Sequence, residues 1–341
     1  MRLAVLLLIL VNTSLFVCAE VLNELPPAVE FILTEDRDTT SALTPLTKID
    51  TVKNSESVKD IELPNNWTLG GNGSLNFAQG YLSHWVEGGE SSVSTHSVVM
   101  LYCNYKRKNL HWDNSLSVKY GLLKSGEKDL RKNEDKLELN TKYGQKAFRT
   151  FYYSFMINLK TQVDKGYEFP KDSAVYVSDF FAPAEALMAI GMDYKPSNKF
   201  SLLLSPVTSK STYVMVSELD ETKYGLEEGS SKKFEMGAYV KTLLKWDITK
   251  DILLQNKLDF FTNYLKNPEN IDVNWEVGIA MKINKYIHTN INTHLIYDDD
   301  IMIPVEKTRI SQETGLEETY MGKSKKIQFK EVLSVGISYK F

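Results

Sequence analysis

Cysteine is scarce in this 341-residue chain, which carries only Cys18 and Cys103. Long apolar runs are also scarce. After residue 19 no stretch of about eighteen apolar residues occurs, and this excludes a transmembrane helix. A basic excess is missing too, because 40 Lys and Arg residues stand against 44 Asp and Glu residues. Such a balance indicates no nucleic-acid partner.

Residues 1–19 have the features of a secretory signal peptide. Arg2 precedes an apolar core at residues 3–10, and Val17-Cys18-Ala19 provides small residues at the cleavage-determining positions. We expect cleavage after Ala19. Lipoprotein processing at Cys18 is the alternative, but the residues before it are bulkier than such sites usually accept. With Cys18 removed, Cys103 is the only thiol, so no intrachain disulfide is expected.

A secreted chain without a transmembrane helix can cross a bilayer only as a closed β-barrel. The stretch 327–341 fits such a barrel, because one face of it is apolar (Leu333, Val335, Ile337, Tyr339, Phe341) and the other polar (Ser334, Gly336, Ser338, Lys340). A soluble sandwich strand could alternate in the same way. The terminal aromatic residue and the polar opposite face favour a strand between lipid and a polar lumen.

The same stretch resembles the C-terminal signature of Gram-negative outer-membrane barrels. The resemblance implies that Leu333, Val335, Ile337, Tyr339 and Phe341 form an assembly signal read by the barrel-assembly machinery. It also implies that the protein lies in the cell outer membrane, in contact with outer-membrane lipid. Aromatic residues reach 11% of the chain and Tyr is the commonest of them, as suits a membrane interface.

Alternation of apolar and polar residues predicts an all-β fold, a transmembrane antiparallel up-and-down β-barrel of about twelve strands over residues 66–341. Residues 20–65 are polar and irregular and are expected to form a flexible periplasmic extension. Strands are predicted near 67–77, 92–105, 110–122, 137–143, 151–162, 184–194, 199–208, 234–246, 252–263, 275–283, 287–297 and 327–341.

The connections between these strands alternate in length. Tight turns are expected at 106–109, Gly144-Gln145, 195–198, 249–251 and 284–286. Long loops are expected at 80–91, 124–134, 165–183, 209–232, 264–271 and 299–325. Short periplasmic turns alternating with long external loops are typical of a barrel with both termini in the periplasm. A soluble sandwich has no reason to place all its long loops at one end.

Several short motifs occur in one order along the chain: Trp85-Val86-Glu87-Gly88-Gly89, Trp112-Asp113-Asn114-Ser115-Leu116 with Tyr120-Gly121, Lys160-Thr161-Gln162, Ser178-Asp179-Phe180-Phe181-Ala182-Pro183, Tyr297-Asp298-Asp299 and Tyr339-Lys340-Phe341. Together they resemble an outer-membrane β-barrel family of Bacteroidetes-type bacteria that is defined as a domain of unknown function. The resemblance covers roughly residues 65–341. It implies a fold and a location and leaves function open.

The strand pattern places many charged residues on the inner face of the predicted barrel. The lumen-lining residues expected from it are Lys119, Lys136, Glu138, Lys160, Glu235, Lys241, Lys257, Asp259, Glu276, Lys282, His288, His294 and Lys330, with Asp113, Glu185 and Asp193 on the same face. They could line a pore and select solutes by charge. They could equally pair across strands and fill a narrow lumen, since a barrel of about twelve strands leaves only a modest bore.

No metal or cofactor site is expected. Asp298-Asp299-Asp300 could offer carboxylates to Ca²⁺, but adjacent strand residues point to opposite faces, which favours a solvated triplet. His288 and His294 share a face but lie about 20 Å apart at the strand rise, so they cannot ligate one ion together. The acidic residues of loops 209–232 and 299–325 could recognise a cationic partner, although a solubilising role is favoured.

A membrane-embedded hydrolase is the third alternative for function. Some outer-membrane barrels use a lipid-facing His and Ser, and the candidates here are His96 with Ser94 or Ser97, and His111 with Ser115. The supporting family motif is absent, so the protein is predicted not to be an enzyme. The favoured function is a narrow channel for small hydrophilic solutes, and the alternative is a non-conducting structural or partner-binding barrel.

Overall fold

The computed structural model describes residues 66–82, 90–169, 174–310 and 317–340. The predicted signal peptide (1–19), the extension (20–65) and Phe341 lie outside the described residues and stay predictions. Among the described residues, no helix is long and apolar enough to cross a bilayer.

The described residues form sixteen strands in chain order. They are β1 (Trp67–Gly80), β2 (Ser92–Arg107), β3 (Leu110–Ser125), β4 (Arg131–Phe148), β5 (Phe151–Thr161), β6 (Gly166–Glu168), β7 (Val175–Ser178), β8 (Ala184–Ser197), β9 (Phe200–Tyr213), β10 (Lys232–Asp247), β11 (Ile252–Asn263), β12 (Asp272–Lys282), β13 (Ile287–Tyr297), β14 (Ile303–Ile310), β15 (Glu317–Ser324) and β16 (Gln328–Lys340). A short 3₁₀ turn spans Glu221–Tyr224.

Twelve of these strands close into one antiparallel barrel, in the order β1-β16-β13-β12-β11-β10-β9-β8-β5-β4-β3-β2. Each predicted strand corresponds to one barrel strand, so the prediction of a twelve-stranded up-and-down barrel is confirmed. The remaining four strands form two separate hairpins, β6 with β7 and β14 with β15. They lie inside the predicted long loops 165–183 and 299–325, in which no strand was predicted.

Several predicted boundaries are wrong. The loop predicted at 209–232 begins later, because β9 continues to Tyr213, and the turn predicted at 195–198 moves to Asn198-Lys199, because β8 continues to Ser197. The loop predicted at 124–134 is shorter, because β4 begins at Arg131. The turn predicted at Gly144-Gln145 lies inside β4, and the chain reverses instead at Arg149-Thr150, where Arg149 has a φ of 47°. Gly144 occupies the strand because a side chain there would collide with the imidazole of His111 on β3.

The outer wall of the barrel is apolar and exposed, as a lipid-facing surface requires. Four residues of the predicted assembly signal on β16 are 50–69% exposed: Leu333, Val335, Ile337 and Tyr339. The opposite face of the same strand carries buried Ser334. Closure of the sheet together with this outer face confirms the prediction of an outer-membrane barrel. Recognition by the assembly machinery stays a prediction.

Aromatic side chains gather on the outer wall at the end of the barrel that carries the short turns, the turn end. Trp67 on β1 lies 5.0 Å from Tyr105 on β2 and 6.1 Å from Trp112 on β3, measured between ring centroids. Trp112 donates to Thr141 Oγ1 at 2.8 Å, and Thr141 donates in turn to Asn114. Such rings suit the boundary between lipid and water.

Val99 and Val93 allow the depth of the lipid-facing band to be tested. Both lie on the outer face of β2, and both are 43% exposed. Val99 is in the middle of the strand, whereas Val93 is near the end of the barrel that carries the long loops. We expect Val99→Arg to lower the free energy of unfolding in lipid vesicles by about 2–4 kcal/mol, and Val93→Arg by about 0–1 kcal/mol. Equal effects in urea titrations would contradict a lipid-facing wall centred on Val99.

Candidate functional site

The lumen is the candidate functional site, and the strand register decides which residues face it. Paired residues of an antiparallel sheet share a face. The pairs Lys119↔Lys136, Glu138↔Lys160 and Lys257↔Glu276 connect neighbouring strands. By the same register and the two-residue period, the inner face also carries Glu235, Lys241, Asp259, Lys282, His288, His294 and Lys330. The structure therefore places all thirteen of the predicted lumen residues on the inner face.

Four of these residues meet across the lumen. Lys136 Nζ lies 2.9 Å from Glu138 Oε2 and 3.4 Å from Glu276 Oε1. Lys257 Nζ lies 3.4 Å from Glu138 Oε1 and 3.5 Å from Glu276 Oε1. We call Lys136, Glu138, Lys257 and Glu276 the cross-lumen cluster. Asn158 adds a hydrogen bond to Glu138 at 2.8 Å.

The position of the strands shows what this cluster does. From β12 the barrel order runs through β13, β16, β1, β2 and β3 to β4, which is six steps in a ring of twelve. Glu276 on β12 and Lys136 on β4 therefore face each other from opposite walls. Because their side chains touch, the lumen is bridged at this level. The four side chains are only 13–23% exposed.

A second polar layer lies inside the lumen towards the turn end. Asp193 on β8 is completely buried and lies 2.7 Å from Lys142 Nζ on β4. Ser201 on β9 donates to the other oxygen of Asp193 at 2.7 Å and accepts from Lys142 at 2.9 Å. Lys195 lies on β8, three strands away from β3 in the barrel order. Its Nζ atom lies 2.6 Å from Oδ2 of Asp113 on β3. Lys142 and Ser201 were not among the predicted residues, although both have the inner-face parity of their strands.

The histidines proposed for hydrolysis do not meet their serines. His111 lies 3.8 Å from Asp193 and edge-on to the ring of Tyr152 at 4.5 Å. His96 shares the inner face with Ser94, and Ser97 faces outward. Within the described residues, no hydrogen bond joins His96 to Ser94 or Ser97, or His111 to Ser115. In the part of the chain that the structure describes, neither imidazole therefore contacts the serine proposed as its nucleophile.

An apolar cluster lies on one wall of the lumen, beside the layer around Asp193. It consists of Met156, Ala189, Leu203, Tyr239 and Phe261, from five consecutive strands of one wall, and each is at most 6% exposed. These residues were missed because only charged residues and histidines were assigned to the inner face. Their position on the inner face could have been predicted from the two-residue period of a strand. Tyr239 is two residues from Lys241, and Phe261 is two residues from Asp259. Together with the polar layers they give this wall of the lumen a buried inner surface.

The end of the barrel that carries the long loops, the loop end, has a third ionic layer. Lys210 on β9 lies 3.0 Å from Asp272 and 3.4 Å from Asp298. Buried Glu235 lies 3.8 Å from Lys210. His294, one level deeper, contacts Asn274 at 2.6 Å and lies 4.0 Å from Glu276. His288 sits near the turn end, paired in register with Lys282. Among the described residues, neither His288 nor Lys282 forms an ion pair with the cross-lumen cluster.

The acidic triplet at residues 298–300 is not solvated, contrary to expectation. Asp298 faces Lys210, Asp299 lies 2.6 Å from Lys325, and Asp300 lies 2.6 Å from Lys233. Burial acts to raise the pKa of the Asp300 carboxyl, but the hydrogen bond and charge of Lys233 outweigh it and hold this pKa below its usual value. The carboxylates diverge towards three lysines, and no metal-binding group of three acidic, His or Cys side chains occurs among the described residues.

The external loops around β6 and β7 form a small platform with its own core. Ala182, Val214, Leu219 and Leu226 are buried together there. Asp220 caps the 3₁₀ turn by accepting from the amide of Thr222 at 3.1 Å and from its hydroxyl at 2.5 Å, and the hydrogen bond from the hydroxyl lowers the pKa of this carboxyl. Asp220 thus has a structural contact. Recognition of a cationic partner by the other loop acids stays a prediction.

Residues 77–167 match a family model described as "Protein of unknown function (DUF3078)". This confirms the predicted likeness to a family of unknown function over the matched residues, which include Trp112-Asp113-Asn114-Ser115-Leu116. The bacterial group stays a prediction. No curated protein sequence matches this chain.

Solved outer-membrane barrels are similar to the chain at low identity. An outer membrane channel from Pseudomonas putida F1 is 12% identical, with a TM-score of 0.36 over 82% of this chain and 96% of that one. The translocator domain of autotransporter NalP from Neisseria meningitidis is 10% identical, with a TM-score of 0.33 over 82% and 90%. The P. putida toluene transporter TodX is 10% identical, with a TM-score of 0.30 over 82% and 91%. These values carry no inference about function.

Proposed function

We propose that this protein is an outer-membrane barrel whose lumen is closed at rest, and that it acts as a structural or partner-binding barrel. The contact between Lys136 and Glu276 on opposite walls carries the proposal. The layer around Asp193 and the apolar cluster around Met156 support it, because both place buried side chains on the inner face of the barrel. A contact between opposite walls obstructs the passage of a hydrated solute at this level of the lumen.

The narrow channel for small hydrophilic solutes is the second candidate. One observation favours it: the cross-lumen cluster is held by ion pairs of 2.9–3.5 Å between flexible side chains. Such a closure can rearrange without moving the backbone, and the mixed charges would then act on passing ions. The proposal includes no hydrolytic activity, since neither His96 nor His111 has a serine within hydrogen-bonding distance among the described residues.

Conductance of the refolded full-length chain in planar bilayers separates the two candidates. We expect the wild-type barrel to be silent at 0.1 M and 1 M salt, because the closing contacts are only 13–23% exposed and are therefore weakly screened. Insertion is checked independently by protease protection of the bilayer-embedded barrel. Discrete, reproducible steps from the wild-type chain would overturn the closed lumen and establish the channel.

A further inference from the structure

Two neighbouring connections at the turn end carry five basic residues and no acidic one. The connection between β2 and β3 contains Lys106, Arg107 and Lys108, and the connection between β4 and β5 contains Lys146 and Arg149. All five residues are exposed. The two connections are in contact, because the amide of Lys146 donates to a carbonyl of the β2–β3 turn at 2.7 Å. We call Lys106, Arg107, Lys108, Lys146 and Arg149 the basic patch.

Basic residues elsewhere on the same rim have acidic partners. Lys199, in the turn between β8 and β9, lies 2.7 Å from Asp247. Lys250, in the turn between β10 and β11, lies 4.0 Å from Asp251. In the part of the chain that the structure describes, no member of the basic patch forms an ion pair. The basic patch is therefore a group of positive charges that the protein leaves uncompensated.

The lipid-facing wall places the basic patch at the level of the lipid headgroups. Tyr105 and Trp112 lie below it on the outer wall, and Phe148 stacks on Phe151 with a centroid distance of 4.8 Å. Such rings mark the boundary of the hydrocarbon. Arg107 is two residues beyond Tyr105, about 7 Å along the strand. The headgroup layer extends about 5–8 Å beyond the hydrocarbon, so the side chain of Arg107 reaches it.

Arg149 gives a second indication that the basic patch has a ligand. Its backbone has a φ of 47°, in the left-handed region that Gly and Asn adopt more easily than Arg. Its neighbour Phe148 is 54% exposed on the outer wall. The backbone of this turn therefore does not account for an arginine, whereas an anion beside the wall does.

We propose that the basic patch binds the headgroups of anionic phospholipids in the leaflet around the turn end. The guanidinium groups of Arg107 and Arg149 donate to phosphate oxygens, and the three lysines extend to the same layer. Clusters of about four to eight Lys and Arg residues beside a membrane-spanning segment typically recognise anionic lipids. The aromatic rings below the basic patch contact the acyl chains. The site depends on the outer wall and not on the state of the lumen.

Fluorescence quenching by brominated lipids tests this site in vesicles. Trp112 lies on β3 beside the basic patch. Trp246, which is 58% exposed, lies at the turn end of β10, where the neighbouring lysines are paired. Two full-length chains each keep one of these two tryptophans and carry Phe in place of the other four. Each chain is refolded into mixtures of phosphatidylglycerol and phosphatidylcholine, with one of the two lipids brominated in its acyl chains. The quenching curves give the relative affinity of the two lipids at each tryptophan.

We expect Trp112 to report a preference for phosphatidylglycerol of at least about fivefold, which is the contribution of one Lys or Arg near an anionic surface. Trp246 should report less than about twofold. The preference at Trp112 should fall when sodium chloride is raised from about 0.05 M to about 0.5 M, because exposed charges are screened. The variant Arg107→Gln/Lys108→Gln/Arg149→Asn should lose the preference.

The matched control removes three charges elsewhere on the same rim. Lys199→Gln/Lys245→Gln/Lys250→Gln should leave the preference at Trp112 unchanged. Urea titration in phosphatidylcholine vesicles checks the folding of both variants. We expect the patch variant to fold as the parent does, because Asn accepts the left-handed backbone at residue 149.

Equal preferences at Trp112 and Trp246, or a preference that survives in the patch variant, would overturn the lipid site. Sodium phosphate provides a further test. If it displaces phosphatidylglycerol at an ionic strength at which sodium chloride does not, the basic patch binds a free anion and the lipid site is wrong. Bilayer conductance is measured separately, so failure here leaves the closed-lumen proposal standing.

Discussion

Replacing Asp193 with alanine is expected to lower the free energy of unfolding by about 3–5 kcal/mol, among the largest effects of any single substitution in this barrel. Asp193 has no exposed side-chain surface, and it holds Lys142 and Ser201 at 2.7 Å each. Lys142 is itself only 10% exposed. Without Asp193, the Lys142 ammonium stays buried with no carboxylate at contact distance, which is the reason for the large cost. Urea titration in lipid vesicles measures it.

The exposed pair Lys199 and Asp247 provides the matched control. Its Nζ–Oδ2 distance is also 2.7 Å, but its side chains are 63% and 56% exposed. We expect Asp247→Ala to cost less than about 1 kcal/mol, because solvent screens such a pair and replaces its contacts. The double variant Lys142→Met/Asp193→Leu should recover most of the loss of Asp193→Ala, since it removes both charges together. Similar costs for Asp193→Ala and Asp247→Ala would show that the buried layer adds nothing.

The barrel strands and their inward faces could be predicted because both depend on local alternation. Glu276 and Lys136 were placed on the inner face from the two-residue period of their own strands. Their contact could not be predicted, because it depends on the closure and stagger of all twelve strands, which bring β4 opposite β12. The same limit applies to Asp300, whose neighbour Lys233 comes from β10.

Other features were missed for different physical reasons. Met156 and Phe261 are apolar residues with inward parity, and an apolar residue by itself does not reveal whether its face meets lipid or a filled lumen. The hairpins β6–β7 and β14–β15 are short, and their sequences lack sustained alternation.

Removing the bridge across the lumen is expected to convert the silent barrel into a conducting one. Lys136→Ala/Glu276→Ala deletes the contact between opposite walls, and it removes both charges so that neither is left buried without a partner. Glu138 and Lys257 still contact each other at 3.4 Å, so discrete but small steps are expected in planar bilayers. Nearby Lys119 and Lys160 keep an excess of positive charge on the inner face. The current should therefore prefer anions.

The control for this prediction is an ion pair outside the lumen. Lys223 and Glu168 lie 2.7 Å apart on the external platform, with side chains 33% and 62% exposed, and Lys223→Ala/Glu168→Ala should leave the barrel silent. Adding Lys257→Ala to the opened variant should weaken its anion preference, because the charge it removes lies beside the bridge. If the opened variant stays silent although it folds and inserts, the apolar cluster of Met156, Leu203 and Phe261 closes the lumen without the ion pairs. That result would favour a structural role for the barrel over a channel.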